Sequence, residues 1–140
     1  MARIGLVLGR FHRTEAEDMQ REAQATATRL GLDIVATTWV PGSMEAPLAT
    51  RRLLLRDDID AVAVLGIIEA GETGHGLVMG QAVIKSLIEL QLDFMKPVGV
   101  GILGPQIQPS QIPSRVRPFA RAAVEAIEAM LGDGTKPITA

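Results

Sequence analysis

Residues 71–75, Gly-Glu-Thr-Gly-His, place an acid, a hydroxyl and one of only two histidines between glycines. They directly follow the most apolar run of the chain, which begins at Ala61. A glycine-rich turn that opens a helix offers free backbone N–H groups and the positive end of a dipole, a setting for phosphate or carboxylate. Thr73 can add a hydroxyl donor. His75 falls in the first helical turn, where the dipole disfavours imidazolium, so a neutral ring can serve as a base. The plainer reading makes Thr73 a helix cap and His75 a solvated surface residue. Both stay open on sequence alone.

Other residues carry chemistry of the same kind. Arg115 opens the last helix after a polar loop and can clamp an anion through two N–H groups, or it is solvated surface. Glu45 lies early in a helix, where a carboxylate favours the dipole; its functional alternative is hydrogen bonding to substrate hydroxyls. Phe11 follows the first strand and can stack on a planar ring, or belongs to the core rim. Trp39 reads as a packing residue. Gly99–Gly104, "GVGILG", has the G-x-G-x-x-G spacing of a dinucleotide site. That fingerprint needs a strand before it and a helix opening within it. Here it lies inside a strand and runs into Pro105, so it is not read as a nucleotide site.

These residues need elements to hold them. Strand-like segments at 3–9, 32–40, 59–68 and 96–103 alternate with helical ones at 14–31, 43–58, 75–94 and 114–131. Thr14 and Glu17 stand at capping-box spacing, and Gly31 is a helix stop. Apolar strands separated by helices predict a parallel sheet covered on both faces, with right-handed connections. In such a sheet ligands bind where strands end and helices begin. That edge holds "GRFH", "VPGSMEAP", "IIEAGETGH" and "ILGPQIQPSQIPSR". The segment 75–94 is apolar nearly all round, which predicts either thorough burial in the core or cover by another subunit.

The bulk numbers narrow the classes. At 140 residues the chain has room for one domain. Hydrophobic residues at 47% and charged residues at 21% are a globular balance. A net charge of −2 from interspersed charges argues against nucleic acid and anionic membrane. With no cysteine, disulfides, thiolate metal sites and a cysteine nucleophile are excluded. The apolar start is too short for a signal-peptide core, and no run approaches a membrane span. A soluble intracellular domain is expected, with a frayed tail over about 132–140.

"GRFH", "VPGSMEAPLA" and "LGIIEAGETGH", in order at the first three βα turns, resemble the 6,7-dimethyl-8-ribityllumazine synthase family. "KPVGVGILGP", then Gln111 and Arg115, then "AAVEAIEAM", extend the similarity to about residue 130, and some details look archaeal. The resemblance implies a flavodoxin-like three-layer α/β/α sandwich on a four-stranded parallel sheet. It implies a cytoplasmic transferase of riboflavin biosynthesis that condenses 5-amino-6-ribitylamino-uracil with 3,4-dihydroxy-2-butanone 4-phosphate, without cofactor or metal.

Roles follow for matching positions. Phe11 would stack on the pyrimidine, with His12, Ile67, Ile68, Glu69 and Val100 in the substrate-binding set. Ser43, Met44 and Glu45 would hold the ribityl chain. Glu72 and Thr73 would bind phosphate with Arg115, and His75 would move protons. The family assembles at least as a homopentamer, with sites between neighbouring subunits.

The chain also departs from the family pattern. His12 stands where asparagine is usual, and Glu69 where an apolar residue is usual. Gly74 and Gly76 flank the histidine in place of larger residues. Arg117 or Arg121 stands in for a lysine that normally follows the arginine. Two alternatives accompany this reading: an archaeal-type riboflavin synthase, and a non-catalytic paralogue that binds flavin or lumazine or forms a shell.

Overall fold

Along the first strand of the computed structural model, Ile4, Leu6 and Leu8 face one apolar layer and Val7 faces the other. This two-sided burial is what a parallel sheet covered by helices requires. The structure describes residues 1–71 and 73–132. The expected fraying of the tail lies, from 133 onward, outside the described residues.

Four strands alternate with four helices: β1 (Arg3–Gly9), α1 (Arg13–Leu30), β2 (Asp33–Val40), α2 (Ala46–Leu54), β3 (Ala61–Glu69), α3 (His75–Phe94), β4 (Val98–Ile107) and α4 (Ile112–Met130). Single 3-10 turns at Ser43–Glu45 and Pro109–Gln111 lead into α2 and α4. All strands are parallel, in the order β2-β1-β3-β4. Alternate residues of β1, β3 and β4 form one core with α1 and α4, and the remaining ones form another with α2 and α3. The result is the flavodoxin-like three-layer sandwich, with its switch point between β1 and β3.

Several boundaries differ from expectation, each for a physical reason. No Thr14 capping box forms: α1 starts at Arg13, and its cap is His12 in the left-handed region (φ 59°), without a side-chain cap. Gly31 does end α1, also left-handed. Helix α2 stops at Leu54 rather than 58, where the Lys96 ammonium donates to the carbonyls of Leu54 (2.9 Å) and Arg56 (3.2 Å). The Arg56 guanidinium then grips Asp58 through two bonds, which holds that carboxyl below its usual range.

Strand β4 runs on to Ile107 instead of ending at 103. A bulge makes this possible: Ile67 pairs with Leu103 but Glu69 pairs with Ile107, so four residues of β4 span two of β3. Gly104 and Gln106 carry the turn at positive φ.

The G-x-G-x-x-G run sits inside this strand, as its rejection as a nucleotide site requires. Its glycines serve packing. A Cβ on Gly99 would fall 2.2 Å from the Ala123 carbonyl oxygen, and one on Gly101 would fall 2.9 Å from that of Phe119. Only hydrogen at these positions lets α4 lie directly on the sheet.

Helix α3 buries Gly80, Val83, Leu87 and Leu90 and leaves Val78, Ile88 and Leu92 exposed. Its apolar excess is therefore not consumed within the chain. No helix among the described residues is long and apolar enough to cross a membrane.

Candidate functional site

The C-terminal ends of β1, β2 and β3 open on one cleft of about 500 Å³, lined by Phe11, residues 41–45, residues 67–71, Thr73, His75, Gly76 and Met79. Nearly every cleft position singled out from the sequence is thus gathered in one place. β1 delivers Phe11, the turn after β2 delivers Ser43, Met44 and Glu45, and β3 delivers Ile67, Ile68 and Glu69. The start of α3 delivers Thr73 and His75.

Phe11 is 56% exposed, so its ring is available to a ligand. Its support is the imidazole of His12, met edge-on with ring centroids 4.5 Å apart and planes at 76°. The left-handed backbone at His12 is a conformation in which asparagine, aspartate and histidine are enriched. His12 Nε2 lies 2.9 Å from Glu69 Oε2, with both side chains about three-quarters buried (24% and 25% exposed). An ionised carboxylate only accepts, so Nε2 carries the hydrogen of this bond.

On the opposite wall, Ser43 is buried against Gly66, where a Cβ would approach its hydroxyl to 3.4 Å. Glu45 ends the 3-10 turn and precedes α2, rather than lying inside a helix as expected. Its side chain and that of Met44 are exposed at the cleft.

At the start of α3, Thr73 meets a backbone donor. Its Oγ1 accepts the backbone N–H of His75 at 3.3 Å, as a cap does. A helix start leaves four such donors, so one is met by Thr73. The side chains of Thr73 and His75 are exposed. A Cβ on Gly76 would stand 3.0 Å from the Glu69 carbonyl oxygen. The small residue therefore seats the first turn of α3 against the end of β3, and with it His75. Glu72 lies outside the described residues.

Two expected site residues are elsewhere in the chain. Arg115 borders a second groove with Gly104, Pro105, Gln106, Ile107, Gln111 and Phe119. Its guanidinium donates to the Gln111 carbonyl at 3.3 Å, and it is held there by α4, which starts at Ile112. Val100 lies mid-strand, paired with Val64 and packed toward the α2 and α3 layer. Neither lines the cleft of its own chain.

Sequence reasoning passed over Met79 and read Gly76 only as a departure. Met79 stands four residues after His75, the spacing that puts both on one helix face, and that signal was readable. Trp39 packs as expected, under the Arg13 guanidinium at 4.1 Å. Among the described residues no group of three or more His, Cys, Asp or Glu is positioned to hold a metal.

The chain is similar to known proteins over nearly its whole length. A family model described as 6,7-dimethyl-8-ribityllumazine synthase matches residues 1–132. A 6,7-dimethyl-8-ribityllumazine synthase of Methanopyrus kandleri is 41% identical, over 92% of this chain and 91% of its own. One from Staphylothermus marinus is 39% identical over 94% and 87%, and one from Halobacterium salinarum is 39% identical over 91% and 96%.

Proposed function

The chain belongs to the 6,7-dimethyl-8-ribityllumazine synthase family, and from that premise we propose that it performs the family's condensation at the cleft described above. The single observation that carries this reading is the convergence of Phe11, Ser43–Glu45, Thr73 and His75 on one cleft at the sheet's switch edge. The reaction joins 5-amino-6-ribitylamino-uracil to 3,4-dihydroxy-2-butanone 4-phosphate and releases phosphate and water. It serves riboflavin biosynthesis.

Each feature suits one part of the substrates. The exposed Phe11 ring offers a face to the flat pyrimidine. Ser43, Met44 and Glu45 border the wall where a hydroxylated ribityl chain finds acceptors and donors. The first turn of α3, with Thr73, faces the phosphate with N–H groups and the positive dipole end. His75 stands one residue inside that helix and moves protons as the amine adds to the ketone and phosphate departs. Holding two substrates in one cleft itself supplies much of the rate.

Arg115 enters the scheme through assembly. We read the active unit as a homopentamer or a multiple of it, in which a neighbour presents its Arg115 to the phosphate seat. The apolar residues left open on α3 support this assembly. We read residues 1–140 as one domain, and the cytoplasm as its compartment.

The test is an absorbance assay with both substrates, on wild type, His75→Ala and Arg115→Ala. Wild type forms the lumazine. Loss of the proton carrier lowers kcat by about 10²-fold or more, and loss of the arginine raises KM for the butanone phosphate by roughly tenfold. A wild-type protein that binds riboflavin but forms no lumazine defeats the enzymatic reading.

A further inference from the structure

Two polar residues, 57 positions apart in sequence, meet in one hydrogen bond, and one of them, Glu69, lines the cleft. His12 Nε2 stands 2.9 Å from Glu69 Oε2, and both side chains are about three-quarters buried. The meeting is built by the fold. Along β3, Ala61, Ala63, Leu65 and Ile67 face the α1 and α4 layer, so Glu69, two further on, is directed to the same side. His12 caps α1 on that side.

Resting on the function proposed above, we propose that the His12–Glu69 pair is the specificity device for the pyrimidine ring. Glu69 accepts N–H donors on the ring's edge, and His12 is the positioning residue that holds the carboxylate. The chemistry of the surroundings selects this part of the substrates. A carboxylate repels phosphate, which has its own seat at the start of α3. The ribityl chain is assigned to Ser43–Glu45.

Glu69 shares the lining of the cleft with the exposed Phe11 ring and with Ile67 and Ile68. His12 uses Oε2, and no other side-chain hydrogen bond engages Glu69 among the described residues. Oε1 is therefore left for a ligand. A uracil carrying amino groups presents N–H donors along its edge, the complement of an acceptor-only group. His12 also buttresses Phe11, so one side chain fixes both the stacking platform and the edge acceptor.

The experiment titrates wild type, Glu69→Gln, Glu69→Ile, His12→Asn and the His12→Asn/Glu69→Ile double variant with 5-amino-6-ribitylamino-uracil alone, by calorimetry. Steady-state assays with both substrates follow. Glu69→Ile weakens binding of the uracil tenfold or more, the scale of one hydrogen bond to a charged group. KM for the butanone phosphate stays within twofold. Glu69→Gln, near-isosteric and the milder change should isoleucine disturb the fold, weakens it at least threefold.

His12→Asn weakens binding when Glu69 is present and adds nothing in the double variant, because its effect passes through the carboxylate. Uracil affinities within twofold of wild type in both Glu69 variants, with only the melting temperature lowered, overturn the proposal; so do strictly additive effects. Titration with uracil alone separates this from the enzymatic reading. Glu69-dependent binding without turnover defeats the activity and leaves the pair standing. Turnover indifferent to Glu69 does the reverse.

Discussion

Replacing Phe11 with alanine separates what the ring does for the fold from what it does for a ligand. The ring is 56% exposed, so somewhat under half of its surface is covered by the protein. Fully burying a phenylalanine is worth about 1.5–3 kcal/mol, which makes the covered part worth about 1 kcal/mol. The edge contact with His12 adds about 0.5–1 kcal/mol. Stability should therefore fall by about 1–2 kcal/mol, a drop of roughly 3–7 °C in melting temperature for a chain of this size. A ring stacked on a base contributes about 1–3 kcal/mol, so the dissociation constant for the pyrimidine substrate should rise by roughly 5- to 150-fold. Calorimetric titration and a thermal melt on the same sample read the two effects side by side. Phe11→Leu should keep most of the stability and recover only part of the binding. A melting temperature lowered as stated, with pyrimidine affinity within twofold of wild type, would show that Phe11 belongs to the rim of the core and refute the stacking role.

Two further substitutions test the packing with opposite signs. Gly99→Ala places a methyl 2.2 Å from the Ala123 carbonyl oxygen, so α4 must shift off the sheet; urea unfolding should show a loss of about 2–4 kcal/mol, and unchanged stability would mean α4 yields freely. Thr50 is fully buried in α2, and its hydroxyl finds no hydrogen-bond partner among the described residues. Thr50→Val keeps the shape and removes the uncompensated polar atom, so stability should rise by about 1 kcal/mol in the same assay; a comparable loss would reveal a partner.

The alternation of strands and helices was legible because each strand is buried on both faces, which leaves continuous apolar runs such as 61–68. Helix α3 was placed residue for residue. Boundaries went astray where a contact distant in sequence decides them. Lys96, forty-two positions from Leu54, sets the end of α2. Pairing of Glu69 with Ile107 carries β4 through Pro105, where a local reading stops the strand. The start of α1 failed for another reason. A capping box at Thr14 and Glu17 is a sound local pattern, but the backbone at His12 already adopts the left-handed turn that begins the helix one residue earlier.

The site divides along the same line. Phe11, Ser43–Glu45, Thr73 and His75 were legible because each stands at a strand end or helix start, and topology alone brings such positions to one edge. The relation between His12 and Glu69 was not, since both read as isolated departures and only the folded chain shows that they touch. Arg115 marks the opposite boundary. Its residue type suggested an anion clamp, yet α4 holds it in another groove, bound to Gln111. One chain therefore presents a cleft with an exposed helix start but no arginine, and an arginine held in a separate groove. A surface pair of that kind is complementary between copies rather than within one, and a ring closes when each copy meets the next in the same way. Pairing inactive His75→Ala subunits with inactive Arg115→Ala subunits puts this to the test. Mixed after dissociation and reassembled, they should regain activity at those interfaces where an intact His75 cleft faces an intact Arg115, up to about a quarter of the wild-type rate for random equal mixing into closed rings. No recovery in assemblies shown by mass to be mixed would place arginine and histidine in one chain's site and refute the shared cleft.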